Sequence, residues 1–186
     1  MDDRLKVISG AQPGVERVAL DVALELGLPR GGWCAAGRQA DDGPIPEGYP
    51  VIECRAVEPH VRTQRNVETS SATLVFTVGT PTGATRYAIE VARSMFRPCR
   101  VLDLADAQID PVAALYAWLV ERAPRVLHVT GPREQGAPGL AARAREVLRY
   151  ALATYVDATR ALADGADDHA HLLATDASSS APPMLA

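Results

Sequence analysis

The spacing of hydrophobic positions changes along this chain, and each change marks an element. Residues 4–8 form a short apolar run ending at Ile8 and predict a strand. From Val15 the period becomes helical. Val15, Val18, Ala19, Val22, Ala23 and Leu26 fall at i, i+3, i+4, i+7, i+8 and i+11, predicting a helix over 14–27 that Gly27 and Pro29 stop. Leu28–Pro50 keeps no sustained period and reads as a long, largely irregular stretch, the kind of loop that in a compact domain carries function or is mobile. Val51–Glu53 suits a short strand. Pro59–Ser71 suits a helix with His60, Thr63, Arg65 and Asn66 on its polar surface. Thr73–Val78 is a continuous β-rich apolar run, as expected of a strand covered on both faces. Gly79–Arg86 is then a polar, glycine-bearing turn opening a helix with Ala84, Ala88, Val91 and Met95 on one face, ended by Pro98. Cys99–Leu104 is the next strand, and Asp110-Pro111 opens a helix to about Glu121. Val126–Thr130 is the last clear strand. A third glycine-bearing loop, Gly131–Gly139, precedes a closing helix with Leu140, Ala144, Val147, Leu148 and Ala151 on one face.

Strands and helices that alternate in this order predict an α/β fold: a Rossmann-like, doubly wound and mostly parallel sheet with helices on both faces. Ligands of such sheets bind at the carboxyl ends of the strands. The loops Ser9–Arg17, Gly79–Arg86 and Gly131–Gly139 all follow strands, so they gather on that edge, and each carries an arginine: Arg17, Arg86 and Arg133. Arg38, in the irregular stretch, is a candidate to join them. Unpaired N–H groups at helix starts and guanidinium groups together attract anions, phosphate above all. The competing account of each arginine is a surface ion pair, Arg17 with Asp21 and Arg86 with Glu90.

Composition narrows the class. With 186 residues, 47% hydrophobic and 23% charged, the chain suits one soluble domain. No apolar run approaches the roughly 20 residues that span a bilayer, and the acidic start Met1-Asp2-Asp3 is no signal peptide. Cys34, Cys54 and Cys99 fit neither a disulfide framework nor a zinc site, which predicts a cytoplasmic setting. The net charge of −4 resides in Tyr155–Ala186, while residues 1–154 balance to zero, with no clustered basic charge for nucleic acid. The expected division is therefore a ligand-binding domain over 1–156 and an acidic, Ala/Ser-rich, partly mobile tail over 157–186.

Several blocks together resemble the molybdenum-cofactor carrier family, which is related to the lysine-decarboxylase-like group and the cytokinin-activating phosphoribohydrolases. They are Ile8-Ser9-Gly10-Ala11-Gln12-Pro13-Gly14-Val15-Glu16-Arg17, Gly31-Gly32-Trp33-Cys34, Gly37-Arg38, Asp42-Gly43-Pro44-Ile45-Pro46, Arg62-Thr63, Asn66-Val67, Thr82-Gly83-Ala84-Thr85 and Gly131-Pro132-Arg133-Glu134. The resemblance implies binding, storage or transfer of molybdopterin, the phosphate-bearing pterin dithiolene of the molybdenum cofactor. It also implies molybdoenzymes or cofactor-synthesis proteins as partners, and a dimer or tetramer. The family usually has glycine at Ala11, threonine at Pro13, aspartate at Glu16 and glycine at Ala84.

The residues expected to hold the cofactor are Gly10, Ala11, Gln12, Gly14, Arg17, Trp33, Arg38, Thr82, Gly83, Thr85, Arg133 and Glu134, with no catalytic residue and no metal ligand among them. The phosphate cradle falls in the first and second glycine loops, and Leu28–Pro50 is a candidate lid. Aligning Thr85 with the phosphoribohydrolase signature puts Ala88 at the position of its glutamate, while Glu90 lies about 200° round the helix. Binding is therefore preferred to glycosidic hydrolysis. The alternatives are a nucleotide-processing enzyme using Asp42, Glu134 or Glu90, and a nucleotide-sensing module. Asp41 and Asp42 are further candidates to accept from a heterocycle. Cys34 reads as packing, His128 as a satisfied core histidine, and His169 and His171 as no more than adventitious metal ligands.

Overall fold

The computed structural model of the chain describes the backbone of residues 4–178 and the side chains through Leu162. Five parallel strands form the sheet in the order β2-β1-β9-β7-β8, with β1 at Lys6–Ile8, β2 at Arg30–Gly31, β7 at Ala72–Thr77, β8 at Cys99–Asp103 and β9 at Val126–Thr130. The predicted α/β architecture is the one observed. Helices α1 (Val15–Glu25), α4 (Pro111–Arg122) and α5 (Leu140–Ser178) pack on one face, and α2 (Pro59–Thr69) and α3 (Gly83–Ser94) on the other. Between β2 and α2 lie β3 (Trp33–Cys34), a 3₁₀ turn at Ala36–Arg38, β4 (Gln39–Ala40), β5 (Gly43–Pro44) and β6 (Ile52–Glu53). The stretch read as irregular is thus two small sheets, β3 beside β6 and a β4–β5 hairpin. β6 is the short strand expected at Val51–Glu53; the other two-residue strands, β2 among them, are too short to show a period. Among the described residues no helix is long and apolar enough to cross a membrane.

The two faces of the sheet differ in kind. Val7, Leu74, Phe76, Leu127 and Val129 point into the main core, where they meet Val15, Ala19 and Val22 of α1 and Ala144, Leu148, Ala151 and Leu152 of α5. Alternate residues point the other way. On that side Thr73, Thr77, His128 and Thr130 are buried beside Ile8 and Val75, under an α2 that turns Arg62, Thr63 and Asn66 inward. Of the polar surface expected for that helix, His60 and Arg65 are exposed while Thr63 and Asn66 are buried. α3 buries Thr85, Ala88, Ile89 and Ala92, so the predicted face was rotated, and Met95 is exposed. A small second core of Val67, Ala88 and Ala92 joins α2 to α3, and a small third core of Ala11, Leu20, Cys34, Ile45 and Val51 ties the insertion to α1, where Cys34 packs as expected.

Two positions expose the tolerances of this arrangement. Gly32 runs directly over Ser9: an added Cβ would overlap Ser9 O and come within 2.7 Å of Ser9 N, at a φ of +133°. Gly32→Ala is expected to destabilise the protein by about 3 kcal/mol or more, since backbone would have to move; an unchanged urea midpoint would contradict the contact. His128 is 1% exposed and its Nδ1 has no partner, so it is buried but not satisfied. Burial drives its pKa from 6.5 down to about 4, the Glu16 carboxylate opposing and the Arg62 guanidinium assisting. The unfolded chain takes up this proton near pH 6.5 and the folded chain only near 4. Stability is therefore expected to fall across that window as pH drops, by on the order of 3 kcal/mol. In urea titrations at several pH values, His128→Gln should flatten this slope; an equal slope in both proteins would refute the assignment.

Candidate functional site

A cavity of about 730 Å³ opens at the carboxyl ends of β9 and β7. One wall is the β7–α3 loop, Val78 to Thr85, and the other is the loop after β9, Gly131 to Ala137. Arg62 and Glu16 lie at its base and Asp41 reaches in from the β4–β5 hairpin. Its size falls within the range for small-molecule sites. A second cavity, about 480 Å³, sits at the opposite edge of the sheet between Leu5, Leu28, Tyr155 and Val156, where doubly wound folds do not carry their ligands.

The base of the larger cavity is a buried ion pair. Arg62 Nη1 donates to Glu16 Oε2 at 3.0 Å, the two side chains being 3% and 8% exposed. Glu16 also accepts from the Thr130 hydroxyl at 3.0 Å and from the Gln12 N–H at 3.2 Å. Burial alone would raise its pKa. Arg62, the Gln12 N–H and the Thr130 hydroxyl outweigh that and hold the carboxyl below its ordinary value. Glu16 is thus a carboxylate at neutral pH, and it fixes Arg62 in place. Among the described residues Glu16 is the one acceptor of the Arg62 guanidinium, which leaves donors over for a ligand. Gly10 makes this possible, because a Cβ there would overlap Arg62 Nη1 and stand 2.7 Å from Glu16 Oε2.

The two helix starts on this edge are in different states. Thr82 begins α3 with no side-chain capping bond, and Thr82, Gly83, Ala84 and Thr85 all line the cavity. The first-turn N–H groups of α3 are the ones available to an anion. The start of α1 is covered by polypeptide. Gly14 bridges to Arg133, and Glu134 N donates to Pro13 O at 3.3 Å. The first glycine loop is therefore a floor supporting the site, not a cradle open to phosphate.

Of the predicted residues, Thr82, Gly83, Thr85 and Arg133 line the cavity. Gly10 and Gly14 sit one layer below. Ala11, at φ +57°, buries its methyl in the third core and does not line the cavity. Gln12 donates from Nε2 to Gln39 O at 2.8 Å, with Oε1 buried and unpartnered. Arg17 is committed elsewhere: Nε donates to Ala11 O at 3.1 Å and both Nη atoms to Asp42, whose carboxyl this hydrogen-bonded guanidinium holds below its ordinary pKa. Arg38 donates to four carbonyls, those of Ile45, Pro46, Tyr49 and Val51, and so shapes the insertion from within. Trp33 is bonded to Asn66 through both its N–H and its carbonyl and lies under Arg65, outside the cavity. Glu134 caps α5 by accepting from Gly139 N at 2.8 Å. Arg86 forms the surface pair with Glu90 at 2.7 Å, while Arg17 pairs with Asp42 and not Asp21. His169 and His171 lie outside the described side chains.

Arg62 and Glu16 were not singled out from the sequence. The available signal was the composition of α2. Pro59-His60-Val61-Arg62-Thr63-Gln64-Arg65-Asn66-Val67 has too few apolar residues to bury an apolar stripe, so a polar side had to face the sheet.

None of the curated proteins matches this sequence significantly. Among solved structures, a protein from Syntrophus aciditrophicus SB, whose name proposes it as a molybdenum carrier protein, is similar at 32% identity. The match covers 81% of this chain and 96% of that one, with a TM-score of 0.76. The model of the circularly permutated YpsA SLOG family matches residues 7–152. That span runs from β1 to the core turns of α5 and includes every element around the cavity, so this chain belongs to the circularly permutated YpsA SLOG family.

Proposed function

We propose that the protein binds a phosphate-bearing pterin, the molybdenum cofactor, in the cavity between the β7–α3 and β9–α5 loops, and stores or hands it on. The observation that carries this reading is Arg62: a buried guanidinium, aligned by Glu16, across from the uncapped start of α3. The resemblance to the Syntrophus protein supports the choice of ligand. The residues present fit such a group. Arg62, the first-turn N–H groups of α3 and the hydroxyls of Thr80, Thr82 and Thr85 would take the phosphate. Gln135 and the loop carbonyls would meet the amide edge of the ring, and Pro81 and Pro132 its faces. No cysteine or histidine is among the lining residues, so a carried metal would keep the cofactor's own sulfur donors. What the chain does is bind, orient and exclude water; the cofactor supplies redox chemistry only in the enzyme that receives it.

One observation favours a second reading, hydrolysis of a nucleoside monophosphate. The carboxylate such chemistry needs is missing at Ala88, which is buried between α2 and α3, and Glu90 is occupied by Arg86. Glu16, however, lines the cavity. Its oxygens are taken by Arg62, Thr130 and Gln12, which suits an anchor better than a general acid. Base release from nucleoside monophosphates, lost in Glu16→Gln, would establish the hydrolase.

For the binding reading, the protein purified from cells making the cofactor should carry molybdenum and yield the fluorescence of oxidised pterin. Arg62→Lys keeps a cation against Glu16 while withdrawing the guanidinium fork, and should weaken binding tenfold or more, about 1.4 kcal/mol. Arg17→Ala should leave affinity unchanged. Retained affinity in a folded Arg62→Lys protein, with a loss in Arg17→Ala, would move the site to the first glycine loop.

A further inference from the structure

The cavity already contains an anion of the protein's own. Asp41 and Asp42 form the two-residue turn of the β4–β5 hairpin, in which Ala40 pairs with Gly43. The turn is held at both residues. Asp42 is gripped by Arg17, and both oxygens of Asp41 accept from Arg133 Nη1, at 2.8 and 3.0 Å. Arg133 and Asp41 both line the cavity. The base of the hairpin is fixed independently of them. Gln39 O accepts from Gln12, Ile45 N donates to Arg38 O at 2.7 Å, and Ile45 is buried in the third core. The Asp41–Arg133 pair itself is 25% and 41% exposed, the class of ion pair that solvent screens and that contributes little to stability. A weak, exchangeable contact at the mouth of a site is therefore carried on a firmly rooted strand pair.

We infer that Asp41 is a specificity-determining residue: it occupies Arg133 as a built-in competitor, and a ligand must bring a second anionic group to displace it. This rests on the anion-site reading above. A monoanion settling at Arg62 and the start of α3 gains nothing from Arg133, because replacing one carboxylate with another anion on the same guanidinium is close to an even exchange. A ligand with two anionic groups gains at Arg62, exchanges evenly with Asp41 at Arg133, and is favoured by the freedom that the released hairpin tip recovers. Ligand binding and release of the tip are then linked, each favouring the other. The ligand class selected is a compound with two separated anionic groups, as in a diphosphate or a phosphate joined to a second anionic centre.

Inorganic pyrophosphate is the probe, titrated calorimetrically at fixed low salt into wild type, Asp41→Asn, Arg133→Gln and the double variant. Asparagine keeps the size and turn preference of aspartate, so folding is not at issue, and thermal melts will show it. Asp41→Asn should tighten pyrophosphate binding about tenfold. The same substitution should change nothing when Arg133 is already glutamine. In hydrogen exchange, pyrophosphate should deprotect residues 40–43 while protecting 82–85. Binding that Asp41→Asn leaves equal or weakens, or protection of the hairpin tip on binding, overturns the competitor role and leaves the anion site standing. No binding by either wild type or Asp41→Asn overturns the anion site itself.

Discussion

The structure depends on one buried ion pair. Arg62 and Glu16 come from helices on opposite faces of the sheet, and they meet past the end of β9, where Thr130 and the Gln12 N–H complete the shell around the carboxylate. Neither charge could be taken from water alone, and removing one partner of such a pair costs about 3–5 kcal/mol. The pair therefore fixes α2 against the α1 loop, requires Gly10 for its space, and leaves a guanidinium edge facing the cavity. The same two side chains hold the fold together and line the cavity.

The polar face of the sheet follows from it. Arg62 could not point inward against a wholly aliphatic surface, and Thr73, Thr77, His128 and Thr130 supply polar groups on the face that it meets. His128 is kept neutral there by burial, next to a charge pair that is kept ionised. One side of the sheet thus carries the apolar core, through α1, α4 and α5, while the other carries the charge pair at the base of the cavity. The division fits a fold whose ligands sit where the strand order reverses, here over β9 between the outward-running halves begun by β1 and β7.

The insertion shows how arginine can build structure as well as recognise ligands. Arg38 satisfies four carbonyls of its own loop, and Arg17 joins the insertion to α1 through Ala11 O and Asp42. Both lie in blocks shared with the family resemblance, yet what they hold is polypeptide. Of the arginines read as a cluster, Arg133 alone reaches the cavity, and there it meets Asp41.

The sequence by itself determined the sheet, its parallel sense, the strand-end position of the glycine loops and the family, because strand and helix periods and glycine turns are local signals written over five or more residues. It also put Thr82, Gly83, Thr85 and Arg133 on the edge where the cavity opens, since residues directly after a parallel strand lie at its carboxyl end. Only the tertiary structure decided which charges pair. Asp41, Asp42 and Gln39 lie far along the chain from Arg133, Arg17 and Gln12, and hydrogen-bond partners at such separations leave no periodic trace. The same holds for Arg62. Whether a polar helix face meets water or the underside of a sheet depends on what packs against it, and the local sequence is identical in both cases.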